Sequence, residues 1–69
     1  MIDIRLNGDR AQVPDGLNIQ TLLHFLEIHA DRVAVELNRT IVRKPDWEAS
    51  AIQPGDEVEV VHFVGGGRR

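Results

Sequence analysis

The sequence predicts an α+β fold, a mixed sheet of four to five strands with one main helix packed on one face. Three observations predict it. Residues 2–6 alternate apolar and charged side chains and run into Asn7-Gly8. Ile19, Leu22, Leu23 and Leu26 recur at helical spacing. Two further alternating stretches lie at residues 33–37 and 57–64. A chain of 69 residues holds one domain with a modest core.

The elements follow in order. Ile2, Ile4 and Leu6 alternate with Asp3 and Arg5, the period of a half-buried strand. Asn7-Gly8 predicts a type I′ hairpin turn, which needs positive φ at both central residues. The return strand covers Arg10 to Val13, and Pro14-Asp15-Gly16 stops it. Asn18 is a good N-cap, with Leu17 before it and Leu22 after it at the spacing of a hydrophobic staple. The helix is expected to fade near His29 to Asp31. Val33, Val35 and Leu37 form a third strand. A turn near Asn38 and Arg39 leads to a short strand at Thr40 to Arg43. A single helical turn follows at residues 45–48, opened by Pro45 or Asp46. Gln53-Pro54-Gly55-Asp56 is a turn, and the last strand runs from Glu57 to Val64.

Composition removes several function classes. No cysteine is present, so there is no disulfide, thiolate zinc site or thiol nucleophile. Eight basic side chains face eleven acidic ones, a formal charge of −3. Setting aside Arg68 and Arg69 leaves six against eleven, a balance of −5. An acidic body argues against a nucleic-acid binder. No apolar run approaches membrane-spanning length, and Met1 to Arg5 is no signal peptide, so no membrane role and a cytoplasmic location are expected. His24, His29 and His62 have no metal-ligand spacing. No phosphate-binding motif appears, so any ATP comes with a partner. Asp46 and Glu48 have no cleft partner for acid–base work.

The order hairpin, helix, strand, short strand, turn, strand is the β-grasp, ubiquitin-like arrangement, in which the first and last strands lie side by side at the sheet centre. Residues 1–64 are expected to form this body, and residues 65–69 a flexible glycine tail with an Arg-Arg extension. The matching stretches are Ile4-Arg5-Leu6-Asn7-Gly8, Asp15-Gly16-Leu17, residues 33–38, Ile41-Val42-Arg43, residues 54–60, and Val64-Gly65-Gly66-Gly67. Across them the chain resembles the ThiS family of thiamine-biosynthesis sulfur carriers, over essentially its whole length.

The resemblance implies a protein co-substrate and not an enzyme. In such carriers a ubiquitin-activating-type, ThiF-like adenylyltransferase uses ATP to adenylate the C-terminal glycine. Sulfur from a persulfide then displaces the adenylate, and the thiocarboxylate serves a ThiG-like thiazole synthase. The carrier itself holds no cofactor. Glycines suit that chemistry, because a tail without Cβ is thin and its acyl carbon is open to attack. Ordering such a tail costs ~1–2 kcal/mol per residue, so contacts from the folded body must offset it. The implied adenylation site is Gly67, or Gly66 in a second register, with Gly65 completing the tail.

One departure from the family pattern stands out. Arg68 and Arg69 follow Gly67 and tie its carbonyl into a peptide bond. A tail-trimming protease removes them, or they are foreign to the natural gene product, or this copy is not a carrier. Alternative functions are a carrier for molybdopterin, cysteine or secondary-metabolite sulfur transfer, and a β-grasp interaction domain that is never activated. Molybdopterin carriers are usually longer.

On the last strand Val58, Val60, His62 and Val64 share one face, and Glu57, Glu59, Val61 and Phe63 the other. A bulge that buries Val60 and Val61 together would explain the mixed second face, as would Phe63 covering a sheet edge. The alternative is an exposed apolar docking spot of Val61, Phe63 and Val64 beside the tail. Glu57 and Glu59 would then steer a basic partner. Trp47 reads as a core cap, and Arg39, Arg43 and Lys44 as a solvated basic face.

Overall fold

The computed structural model describes residues 1–63. Strand β1 (Ile2–Leu6) turns through Asn7-Gly8 into β2 (Asp9–Val13). Helix α1 (Ile19–Phe25) follows, then β3 (Val33–Leu37), β4 (Thr40–Val42) and β5 (Glu57–His62). Single 3-10 turns cover Ala30–Arg32 and Lys44–Asp46. One five-stranded sheet has the order β2-β1-β5-β3-β4. β1 and β5 run parallel, and every other neighbouring pair is antiparallel. This is the β-grasp arrangement, with the first and last strands adjacent at the centre.

Local chemistry sets the turns. Asn7 and Gly8 have φ of 51° and 86°, and Asn38 and Arg39 have 52° and 70°, so both hairpins use left-handed pairs. Asparagine is several-fold enriched in that region among residues other than glycine. Helix α1 opens with a reciprocal capping box. Thr21 N–H donates to Asn18 Oδ1 at 2.8 Å, and Asn18 N–H donates to Thr21 Oγ1 at 2.9 Å.

The helix ends earlier than the residues 29–31 expected from periodicity. Ile28 N–H donates to Leu23 C=O at 2.9 Å and Glu27 N–H to His24 C=O at 3.1 Å. These bonds are a Schellman motif, with Glu27 at φ 60° where glycine is usual. Ile28 is thereby turned back to pack against the core. The other differences are small. β4 stops at Val42, not Arg43, and the 3-10 turn opens at Lys44 with Pro45 inside it. β5 ends at His62, and Val64 lies outside the described residues. His62 has the parity of the core face but is exposed, although its ladder partner Val33 is buried.

The core lies between the sheet and α1. Ile19, Leu22 and Leu23 of the helix meet Ile4, Val13, Val33, Val35, Val58 and Val60 of the sheet. A helix of seven residues is too short to persist alone, so burial of this face holds it. The segment between β4 and β5 closes the remaining side. Ile52 N–H donates to Leu17 C=O at 2.8 Å, and Ile19 N–H donates to Ser50 C=O at 3.0 Å. Trp47 fills this end of the core, 2% exposed, and its Nε1–H donates to Val42 C=O at 2.8 Å. The opposite face of the sheet carries no second layer among the described residues.

Candidate functional site

The last described strand, β5, is the most central of the sheet. β5 is hydrogen-bonded to β1 on one side and β3 on the other. Its register with β3 is unbroken from Leu37↔Val58 to Val33↔His62, so no bulge switches faces. Val58 and Val60 therefore point into the core, and Glu57, Glu59 and Val61 point to the open face. Val61 is 52% exposed and Phe63, just past the strand, 64%. Phe63 N–H still donates to Arg32 C=O at 2.9 Å, which extends the pairing with the β3 side by one step.

The neighbouring strands enlarge this apolar area. Ala34 pairs with Val61 across the β3–β5 ladder. Ile41 pairs with Glu36 across β3–β4 and is 68% exposed. A shallow groove at the end of β4 is lined by Ala30, Val33, Ala34, Ile41, Trp47 and Phe63. Neither Ala34 nor Ile41 stood out in the sequence, although the signal was there. A two-residue turn at Asn38-Arg39 puts Val42 opposite Val35, so Ile41 must share the open face with Glu36.

Beside the apolar area lies an acidic row. Glu36 and Glu59 are directly opposed. Glu57 lies farther down the same face, where Arg39 Nε is 3.6 Å from its Oε1. Arg5, Glu36, Arg39, Glu57 and Glu59 line one shallow notch. Among the described residues neither Glu36 nor Glu59 has an ion-pair partner. Like charges directly opposed across strands are mildly destabilising. The notch therefore sets three carboxylates against two guanidinium groups, an excess of one negative charge beside exposed apolar surface.

The other residues weighed in the sequence are dispersed. His24, His29 and His62 are all exposed. The described residues hold no cluster of three or more metal-ligating side chains. Lys44 Nζ sits 2.6 Å from Asp31 Oδ1, and the hydrogen bond and then the charge of Lys44 hold that carboxyl below its ordinary range. Arg43 and Lys44 rim the groove at the end of β4. Val64 and the glycines Gly65, Gly66 and Gly67 lie outside the described residues. No helix among the described residues is long and apolar enough to cross a membrane.

Comparison with known proteins places this architecture. The sequence profile described as the ThiS family matches residues 4–67. The sulfur carrier protein ThiS of Bacillus subtilis is 37% identical over 65 residues, covering 93% of this chain and 98% of that one. A thiazole synthase of Magnetococcus marinus is 38% identical over 65 residues, 94% of this chain. The chain spans only 20% of the length of that synthase. The crystal structure of thiamine biosynthesis protein ThiS from Geobacter metallireducens superposes with a TM-score of 0.83 at 36% identity, covering 96% of this chain and 100% of that one. A family match over nearly the whole chain, joined to the same five-stranded sheet and single helix, makes this chain a member of the ThiS family of sulfur carrier proteins, which are carriers and not enzymes.

Proposed function

We propose that the chain carries sulfur for thiazole formation on a thiocarboxylate at Gly67, formed after removal of Arg68 and Arg69. The observation that carries this reading is where the family match stops. It runs to residue 67 and leaves the two arginines outside. Gly67 is therefore the residue whose carboxylate would be freed, with Gly66 the alternative register. Residues 1–64 would act as the docking body and residues 65–69 as the tail.

The chemistry needs two partners and a nucleotide. A carboxylate becomes electrophilic when its oxygen attacks the α-phosphorus of ATP and pyrophosphate leaves. The terminal sulfur of a persulfide then attacks the acyl carbon and AMP leaves. A thiol supplied by the donor side cleaves the resulting acyl disulfide, releasing the thiocarboxylate and forming a disulfide. The ATP belongs to a ThiF-like adenylyltransferase. The acceptor is a ThiG-like thiazole synthase, a reading supported by the carrier-like fifth of the Magnetococcus marinus synthase. A protease specific for the glycine–arginine junction would precede both, all in the cytoplasm.

Docking would use Val61, Phe63 and Val64 as the apolar contact, with Glu57 and Glu59 against a basic partner surface. Support comes from the exposure of Val61 and Phe63 and from Glu59 on the same face, which has no ion-pair partner among the described residues, whereas Glu57 already faces Arg39. Burial of that apolar surface would offset the ordering of the tail.

Intact mass tests the reading. The full chain and a chain ending at Gly67 are each incubated with the adenylyltransferase, ATP, a persulfide donor and a thiol reductant. The expected result is an oxygen-to-sulfur mass shift on the shorter chain only. A shorter chain that is never adenylated would move the reading to an interaction domain. Loss of both arginines from protein recovered from native cells would demonstrate the trimming step.

A further inference from the structure

β1 and β5 pair in register at only two positions, Arg5↔Glu57 and Leu6↔Val58. Past these pairs one last backbone bond reaches β5, from Asn7 N–H to Val58 C=O at 2.9 Å, and the chain then turns away through Gly8. Val60 is next on that side of β5. It is 5% exposed, so an unpaired N–H and C=O there would be costly. The Asn7 side chain supplies both partners. Val60 N–H donates to Asn7 Oδ1 at 2.7 Å, and Asn7 Nδ2 donates to Val60 C=O at 3.3 Å. A side-chain amide has the donor–acceptor pair of a peptide group, so it prolongs the parallel ladder by one residue after the backbone has left.

From this geometry, and resting on the carrier reading above for its consequence, we propose that Asn7 is a positioning residue that fixes the direction of β5 before the tail begins. Val61 and Phe63 both lie C-terminal to the clamp. Without it, β5 beyond Val58 is held by β3 alone, and two-stranded ribbons have the most variable twist. A partner must engage the Val61 face and receive the tail in one pose. A root that swings would have to be ordered at every encounter, which weakens binding and leaves the chemical step alone.

The same turn also makes the proposal separable from folding. Asn7 sits at φ 51°, where glycine is tolerated. Asn7→Gly therefore keeps the hairpin and deletes only the clamp. Asn38 is the natural control. It occupies the first position of the other hairpin turn at φ 52°, and its Oδ1 accepts from Glu57 N–H at 2.9 Å, at the far end of β5. Asn38 Nδ2 also donates to Asp56 Oδ1 at 3.0 Å, so Asn38→Gly removes a comparable pair of bonds away from the tail.

The test uses chains ending at Gly67, with amide exchange read by NMR and adenylation read by pyrophosphate release. Asn7→Gly is expected to speed exchange at Val60 about tenfold and to raise KM about three- to tenfold at unchanged kcat, the loss of one or two hydrogen bonds. Asn38→Gly is expected to leave KM within about twofold. Asn7→Asp, which keeps the acceptor for Val60 N–H, should fall between wild type and Asn7→Gly. Unchanged Val60 exchange overturns the clamp. Faster exchange with an unchanged KM, or an equal KM rise in Asn38→Gly, overturns the positioning role. Failure of the wild-type chain to be adenylated sinks the carrier reading instead, and exchange at Val60 still decides the clamp.

Discussion

Val61→Asp probes the open face where it leads into the tail. Val61 is 52% exposed in the free chain. Full burial of a valine contributes ~1.5–3 kcal/mol, so docking has about 1 kcal/mol left to gain from this side chain. Val61→Ala should then lower kcat/KM for adenylation about fivefold. Aspartate loses the same contact and buries a carboxylate with no donor, which adds about 1–3 kcal/mol. It also adds negative charge to a face that already opposes Glu36 with Glu59. The total of about 2–4 kcal/mol corresponds to a drop of roughly 30- to 1,000-fold. The assay is pyrophosphate release by the adenylyltransferase, with circular dichroism melts run alongside. Aspartate is a poor strand residue, but side chains on the open face are not in the core, so the fold should lose about 1 kcal/mol at most. If Val61→Asp remained within threefold of Val61→Ala while both stayed folded, the open face would not be the docking surface.

Three further substitutions test the scaffold. Glu27→Gly places the usual residue at the left-handed end of α1, where Glu27 holds φ 60°. It should stabilise the fold by about 1 kcal/mol and raise the melting temperature by about 4–8 °C. Trp47→Phe removes the 2.8 Å bond to Val42 C=O and leaves a gap under β4. A loss of about 1–3 kcal/mol is expected in thermal melts, with faster amide exchange at Thr40 and Val42. Lys44→Met removes the hydrogen bond, then the charge, that lower the Asp31 carboxyl. NMR titration should show Asp31 return toward its ordinary value. Because the folded value is depressed, the pair's contribution is present above the unfolded carboxylate value and fades as pH falls through the folded one. Lys44→Met should abolish that acid-side dependence.

Much of the fold was legible because local signals agreed with one another. Asn7-Gly8, the Asn18 cap and the alternation of residues 33–37 each implied the element that formed. The helix end was not legible, since Leu26 continued the apolar period. Glu27 gave no sign that it would adopt a conformation glycine favours, and tertiary packing of Ile28 made that choice. The parity of β5 was readable, but whether its second face was covered depended on a missing layer. No local pattern reports the absence of a neighbour. Ile41 shows the reverse case. Its alternation with Val42 was visible, and only the register through Asn38-Arg39 gave it a face. Asn7 carried a strong turn signal that hid its contact with Val60, 53 residues away.

On the carrier function proposed above, β5 explains why a whole domain would be needed to present one carboxylate. Its period of two assigns alternate residues to two tasks. Val58 and Val60 are core residues, 0% and 5% exposed, whereas Glu57, Glu59 and Val61 form the face a partner would meet. The two sets share a backbone held by β3 along its length and by Asn7 at Val60. Any opening that frees Val60 from the core also disperses the outward residues. A partner that grips this face therefore binds only the folded carrier, and its binding free energy adds directly to the stability of the body, by about 2.7 kcal/mol at a hundredfold excess over Kd. Recognition of the tail root and integrity of the core become one equilibrium. A short glycine peptide would offer the same carboxylate without that coupling, and nothing would offset the ordering of its chain inside the partner's nucleotide site.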